Sequence, residues 1–222
     1  MQRIIVITGT DTGVGKTLLT ALLTAHLAAK DVNVAALKPL CSGGRDDARL
    51  LRRALVYRLT LDTINPWHFP TPIAPLLAAR KAGRVVALRE VTSHVRTIAR
   101  NHEIVLVEGA GGLLSPLGEK FSTRELITAL KAEVILVAAN KLGVMNHVRL
   151  TLAALPRRAA LRTRIVLMSP PHPDAATRTN VQLLGEFVAP EHVTTLPWFR
   201  NSDDLHGIVA QPRVSLALAA LL

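Results

Sequence analysis

Short apolar runs alternate along the chain with stretches whose leucines, alanines and valines recur at helical spacing. The runs at 4–7, 32–37, 104–107, 134–139, 165–168 and 193–196 are near-continuous rather than alternating, which predicts strands buried on both faces. Between them the periodicity predicts helices over 18–30, 48–57, 76–81, 88–100, 122–131 and 175–188, and a further one that opens in the loop 140–147 and runs to Leu155, where Pro156 ends it. Ser122 and Glu125 have the spacing of a capping box at the start of the 122–131 helix. Strand and helix alternate throughout, so the expected architecture is α/β: a three-layer α/β/α domain spanning 1–222 around a mostly parallel sheet. Ligands should then lie at the carboxyl ends of its strands.

One segment breaks the alternation. Four prolines fall in the stretch 65–75, at Pro66, Pro70, Pro72 and Pro75, removing donors and fixing φ, so it is expected as a surface excursion rather than a helix or a central strand. Two other junctions carry chemistry. The first strand feeds Gly9-Thr10-Asp11-Thr12-Gly13-Val14-Gly15-Lys16-Thr17 at the head of a helix. Backbone N–H groups of such a loop and of the first helical turn converge where polyphosphate charge is stabilised; Lys16 adds a mobile positive charge and Thr17 a hydroxyl for Mg²⁺. The spacing departs from the common phosphate-loop pattern G-x-x-x-x-G-K-[ST], because Thr10 stands five residues before Gly15 and the leading glycine comes one place earlier, at Gly9. The second junction, Val107-Glu108-Gly109-Ala110-Gly111-Gly112, repeats that grammar with a carboxylate at the strand end, where proteins of the phosphate-loop NTPase fold hold Mg²⁺ or its water.

Composition narrows the reading. The 222 residues are 49% hydrophobic, enough for one substantial core, and with no signal-peptide pattern and no long uncharged apolar run the chain is expected to be cytoplasmic, without a membrane partner. The single cysteine, Cys41, excludes an intrachain disulfide framework and reads as a packing residue. A formal charge of +11 raises the question of nucleic acid, but aromatics make up only 3% of the residues. The arginines, among them Arg45, Arg49, Arg52 and Arg53, fall in helical patterns with no aromatic-studded strand for stacking bases. They read as solvated helix faces, and no nucleic-acid partner is expected. The eight histidines show no metal-ligand spacing.

Five motifs together, Gly9 to Thr17, Lys38-Pro39-Leu40-Cys41-Ser42-Gly43, Glu108 to Gly112, Lys141 to His147 and Leu196-Pro197-Trp198, follow in the order and spacing of the dethiobiotin synthetase family, and the chain resembles that family over nearly its whole length. The resemblance implies an ATP-dependent ring closure in biotin synthesis. It converts 7,8-diaminopelargonate and CO₂ to dethiobiotin through a carbamate and its mixed anhydride with phosphate. It further implies Lys16, Lys38 and Thr12 as catalytic residues and Thr17, Asp47 and Glu108 as Mg²⁺ ligands, with Asp46 competing with Asp47 for that role. Nucleotide binding is implied for Gly13, Val14, Gly15, Lys16, Thr17 and Leu18, for Asp47, Glu108, Gly109, Ala110 and Gly111, and for Pro197, Trp198 and Phe199. Substrate contacts are implied for Ser42, Gly143, Val144 and Asn146, the last three serving the neighbouring subunit of a homodimer.

The sequence departs from the family after the 165–168 strand. Many members carry there an asparagine that reads adenine, and this chain continues Ser169-Pro170-Pro171-His172-Pro173. Serine is shorter than asparagine and proline lacks a donor, so a relaxed preference among nucleoside triphosphates is expected. Two rival readings share the loop. An amidoligase of the cobyrinic acid synthase type usually carries a glutaminase domain with a nucleophilic cysteine, for which Cys41 and 222 residues leave no room. A partitioning-type regulatory ATPase normally carries a lysine five residues before the phosphate-loop lysine, and Asp11 occupies that position here.

Overall fold

The computed structural model describes residues 2–222. In chain order the elements are β1 (Arg3–Gly9), α1 (Lys16–Ala28), β2 (Val34–Leu37), β3 (Leu40–Ser42), α2 (Asp46–Ala54), α3 (Leu61–Ile64), β4 (Trp67–Phe69), α4 (Pro75–Lys81), α5 (Leu88–Ala99), β5 (Ile104–Glu108), β6 (Pro116–Gly118), β7 (Phe121–Ser122) and α6 (Thr123–Leu130). There follow β8 (Glu133–Ala139), α7 (Val144–Ala154), α8 (Arg157–Ala160), β9 (Arg164–Met168), α9 (Ala175–Gly185), β10 (Val193–Leu196), α10 (Leu205–Val209) and α11 (Pro212–Ala219). The six predicted strands form one sheet in the order β10-β9-β8-β1-β5-β2, and every neighbouring pair is parallel.

Side chains alternate across the sheet, and the two faces build separate cores. Ile5 and Ile7 of β1 point with Ala36, Leu106 and Val137 into the layer formed by α1, α2, α10 and α11. Val6 points the other way, with Ala35, Leu37, Val105 and Val107, towards α4, α5 and α6. Leu136, Ala138, Ile165 and Leu167 continue that second face under α7 and α9. Helix α1 is buried along most of its length, and its two interior threonines return their hydroxyls to carbonyls four residues back, Thr20 to Lys16 at 2.8 Å and Thr24 to Thr20 at 2.7 Å. These bonds satisfy polar groups that have no access to water.

Register fixes the neighbourhood of the site. Leu37 pairs with Val107 and Ile7 with Glu108, so Lys38, Glu108 and the phosphate loop emerge side by side from three adjacent strands.

Several expectations need correction. The stretch 65–75 is only partly a surface excursion: Asn65 and Phe69 are fully buried, and β4 pairs in parallel with β3 to form a small second sheet. Its hydrogen bonds are supplied by a strand 27 residues earlier in the chain, with His68 opposite Cys41. The helix expected over 48–57 begins at Asp46 and stops at Ala54, because Val56 and Tyr57 turn into the left-handed region at φ 49° and 60°. The 116–122 hairpin of β6 and β7 and the terminal helices α10 and α11 carry no strong periodicity and appear only in the structure. The capping box is formed as expected: Ser122 Oγ accepts from the Arg124 N–H, and Glu125 Oε2 accepts from the Ser122 N–H at 2.8 Å.

Candidate active site

The phosphate loop runs from Gly9 into α1. Gly13 and Gly15 lie at φ 72° and 99°, a region that a side chain makes strained, and a Cβ on Gly15 would stand 3.0 Å from Met168 Cγ at the end of β9. The loop is therefore both wound tightly and packed closely against a neighbouring strand. Helix α1 starts with no side-chain cap and no acidic residue in its first turn. Its first-turn N–H groups and positive dipole end line the cavity, with no side chain capping them. Lys16 is buried beside them, donating from Nζ to the Asp11 carbonyl at 2.7 Å, and burial lowers its pKa to about 8 despite the opposing charge of Glu108.

Three charged side chains and a hydroxyl meet at the strand ends next to this loop. Glu108 is 1% exposed and Lys38 5%. The Lys38 ammonium lies 2.6 Å from Glu108 Oε1 and 2.9 Å from Asp47 Oδ2, and the Thr17 hydroxyl donates to the same Glu108 Oε1 at 2.7 Å. Burial opposes the charge on Lys38, but the two carboxylates outweigh it and hold its pKa above the ordinary lysine value. Burial would likewise raise Asp47, and the charge and hydrogen bond of Lys38 instead bring it below the usual carboxylate range. The second oxygen of Glu108, Oε2, is buried and has no protein partner. Asp46, the other candidate, points away: it pairs with Arg49 at 2.7 Å and its side chain is 87% exposed.

Two residues that the sequence reading left out hold Lys38 in position. Buried Asn65 donates from Nδ2 to the Lys38 carbonyl at 2.8 Å, and the Lys38 N–H donates to Ile64 O at 2.9 Å. Arg45 bridges Asn65 Oδ1 at 3.2 Å, Asn65 O at 2.9 Å and Leu61 O at 3.1 Å. Arg45 is thus a clamp between α2 and the proline-bearing segment and not part of a solvated arginine face. Its only sequence signal was a charge directly preceding an acidic helix start, which does not distinguish the two roles.

Two cavities flank the Gly13 to Thr17 part of the phosphate loop. The larger, 770 Å³, is lined on one side by Thr12, Gly13, Gly15, Lys16, Thr17, Leu18, Ala110 and Gly111, and on its floor by Lys38, Asp47 and Glu108. Its far wall comprises Cys41, Ser42 and the turn from Pro72 to Pro75. Cys41 is buried, its thiol donates to Gly44 O at 3.1 Å, and burial raises its pKa, so nothing activates it as a nucleophile. The smaller, 350 Å³, lies across the loop between Val14, Leu18, Met168, Ser169, Pro170, Pro197, Trp198 and Phe199. Gly109 lines neither cavity; it is packed against Thr123 at the start of α6. Gly143, Val144 and Asn146 also line neither. They form the start of α7, where Gly143 and Asn146 face solvent and Val144 is buried. A buried network below the smaller cavity was not foreseen: Asn180 donates to Asn140 Oδ1 at 2.8 Å, and Asn140 donates to Thr177 O at 3.0 Å, tying the 140–141 turn to α9.

The family described as AAA domain matches residues 3–204. A protein of Anaeromyxobacter sp. (strain Fw109-5) named ATP-dependent dethiobiotin synthetase BioD is 43% identical over 170 residues, 75% of this chain and 76% of its own. A protein of the same name from Anaeromyxobacter sp. (strain K) is 38% identical over 202 residues, 89% of this chain and 91% of its own. Among solved structures, a ParA family ATPase from Chlorobium tepidum TLS covers 100% of this chain and 99% of its own with a TM-score of 0.62. At 13% identity that likeness carries the fold alone, the three-layer arrangement of the phosphate-loop NTPases.

Proposed function

Because the chain belongs to the ATP-dependent dethiobiotin synthetase family of biotin biosynthesis, we propose that it closes the ureido ring of dethiobiotin from 7,8-diaminopelargonate, CO₂ and ATP. In this reading an amine nitrogen of diaminopelargonate bonds to the carbon of CO₂ and loses a proton, leaving a carbamate. A carbamate oxygen then bonds to the γ-phosphorus as the bond to the β,γ-bridging oxygen breaks, releasing ADP. The second amine attacks the carbonyl carbon of the resulting carbamic-phosphoric anhydride, phosphate departs, and loss of a proton leaves the cyclic urea. That makes the protein a ligase forming C–N bonds, and one that needs no covalent nucleophile, since substrate and nucleotide bring the reacting atoms together.

The observation that carries this reading is the juxtaposition in one 770 Å³ cavity of an uncapped helix start, Lys16 and the Lys38, Asp47 and Glu108 cluster. Backbone N–H groups of Gly13 to Thr17 bind the phosphates, with the Thr12 hydroxyl assisting. Lys16 follows the charge that moves with the γ-phosphoryl group, and Lys38 neutralises oxygens of the carbamate. Ser42, opposite, contacts the substrate, and the Pro72 to Pro75 wall covers its aliphatic chain. The purine or pyrimidine lies in the smaller cavity against Trp198 and Phe199, where a relaxed base preference is expected.

Mg²⁺ fits the residues present. Thr17, Asp47 and Glu108 offer the hard oxygen donors it requires, and buried Glu108 Oε2 has no protein partner. Among the described residues no cluster of three His, Cys, Asp or Glu side chains occurs, so such an ion draws the rest of its shell from phosphate and water. Bound there, it would neutralise phosphate charge. The proposal includes a homodimer in which the turn at Gly143, Val144 and Asn146 serves the partner's substrate carboxylate. It also includes a cytoplasmic setting; among the described residues no helix is long and apolar enough to cross a membrane.

Incubating the protein with diaminopelargonate, bicarbonate, Mg²⁺ and ATP should yield dethiobiotin by mass spectrometry, with one ADP formed per product. Absence of product from a protein that still binds nucleotide overturns the assignment.

A further inference from the structure

The cluster at the strand ends holds more than a set of metal ligands. The Lys38 ammonium sits between Glu108 and Asp47, at 2.6 Å and 2.9 Å, and it is the only cation that bonds either carboxylate among the described residues. Thr17 shares the Glu108 oxygen that Lys38 uses. Each of the three groups expected to hold the divalent ion is therefore bonded to Lys38 or to a group that is, through Glu108 Oε1, Asp47 Oδ2 and the Thr17 hydroxyl, while Glu108 Oε2 has no protein partner. The lysine has room to leave: it lines the large cavity together with Ser42, and its backbone is fixed independently by Asn65 and Ile64. Lys16 lines the same cavity but its ammonium bonds a backbone carbonyl and neither carboxylate.

We propose that Lys38 occupies the cation seat of the metal-free protein, and that a divalent ion entering between Glu108 and Asp47 displaces its ammonium into the substrate cavity. A buried Glu108 beside a half-buried Asp47 is disfavoured without a counter-charge, so the protein keeps a cation on the pair and exchanges an internal one for an external one. The exchange has a cost and a use. It weakens the metal's apparent affinity by the strength of the contacts that must be broken, and it delivers a free ammonium to the cavity wall only when the ion is in place. The inference rests on the reading of Thr17, Asp47 and Glu108 as the cation ligands given above.

The test is a titration with Mn²⁺ alone, free ion being counted from its electron paramagnetic resonance signal, on the wild-type protein and on Lys38→Met and Lys16→Met. Lys38→Met should bind Mn²⁺ at least about tenfold more tightly than wild type, the order of coupling between close charge pairs, while Lys16→Met changes little. Equal tightening in both variants would mean a general field effect, and no tightening in Lys38→Met would mean no exchange; either overturns the proposal. Since Lys38 is buried and its replacement can disturb folding, a crystal of the wild-type protein soaked in Mn²⁺ gives an independent reading. An anomalous peak beside Glu108 and Asp47 with the Lys38 ammonium out of bonding range of both supports exchange, and a peak with Lys38 still bonded to both refutes it. Dethiobiotin formation is measured separately, so a wild-type protein that makes product while failing these tests loses this inference and keeps its assigned reaction.

Discussion

The two ends of the nucleotide groove are built on different principles. At the proposed phosphate end, the ends of β1, β2 and β5 and the start of α2 bring Lys16, Lys38, Glu108 and Asp47 into one cavity, and three of the four, all but Asp47, are buried. At the proposed base end, beyond β8, β9 and β10, the apolar walls are Leu18, Met168, Trp198 and Phe199, and the polar lining is Asn140, Lys141, Ser169 and Ser202. Asn140 and Asn180 bond each other, the Ser169 N–H donates to Leu196 O at 2.9 Å, and Pro170 and Pro197 have no N–H to offer. In the proposed reading one end recognises by charge held in fixed register, the other by shape and stacking. Substitutions should therefore be severe at the first and graded at the second.

The largest effect is expected at Lys16. Lys16→Ala removes the only side-chain cation attached to the phosphate loop and should lower kcat by at least about a hundredfold, as for a lost transition-state contact. A steady-state assay of dethiobiotin formation measures it, and a rate within tenfold of wild type would show that the helix start alone suffices. Lys38→Ala should cost about tenfold to a hundredfold in kcat at saturating Mg²⁺. An unchanged rate would take Lys38 out of the reaction and leave it only as a partner of Glu108.

Legibility in the sequence divides along the same line as the chemistry. The six strands, the phosphate loop and the strand-end carboxylate were readable because each is a contiguous run with its own local grammar, and the parallel register then sets Lys38 beside Glu108 without further information. The β3–β4 pairing was hidden because each strand has three residues, too few for a period, and each pairs only with the other. Arg45, Asn65, Asn140, Thr177 and Asn180 were hidden for a related reason. Their roles are hydrogen bonds between segments distant in the chain, and an isolated polar residue has no local pattern that separates a buried clamp from a solvated side chain.

The choice between Asp46 and Asp47 was open in the sequence and is sharp in the structure. Asp47 bonds Lys38 and lines the large cavity, while Asp46 bonds Arg49 in solvent. Asp47→Asn keeps the size of the side chain and removes its charge, and should cost about tenfold in kcat/KM at limiting Mg²⁺. Asp46→Asn gives up only an exposed pair, the kind that contributes little, and should stay within about twofold. Reversal of the two would place the metal ligand one residue earlier and rotate the start of α2.

The smallest effect belongs to the base. A site that hydrogen-bonds a dedicated group on its substrate rejects analogues lacking it by several orders of magnitude, whereas apolar walls discriminate only weakly. With the one amide in its lining, Asn140, bonded to Thr177 and Asn180, the smaller cavity is expected to fall in the second class. Turnover with CTP and GTP should then fall within about tenfold of that with ATP. Trp198→Ala, which removes a half-exposed ring from the wall, should raise KM for all three nucleotides by a similar factor of a few-fold, since any base presents a face to stack. A strict requirement for ATP would show that a backbone group or Ser169 reads adenine after all. A loss confined to one nucleotide in Trp198→Ala would show that this wall itself selects among bases.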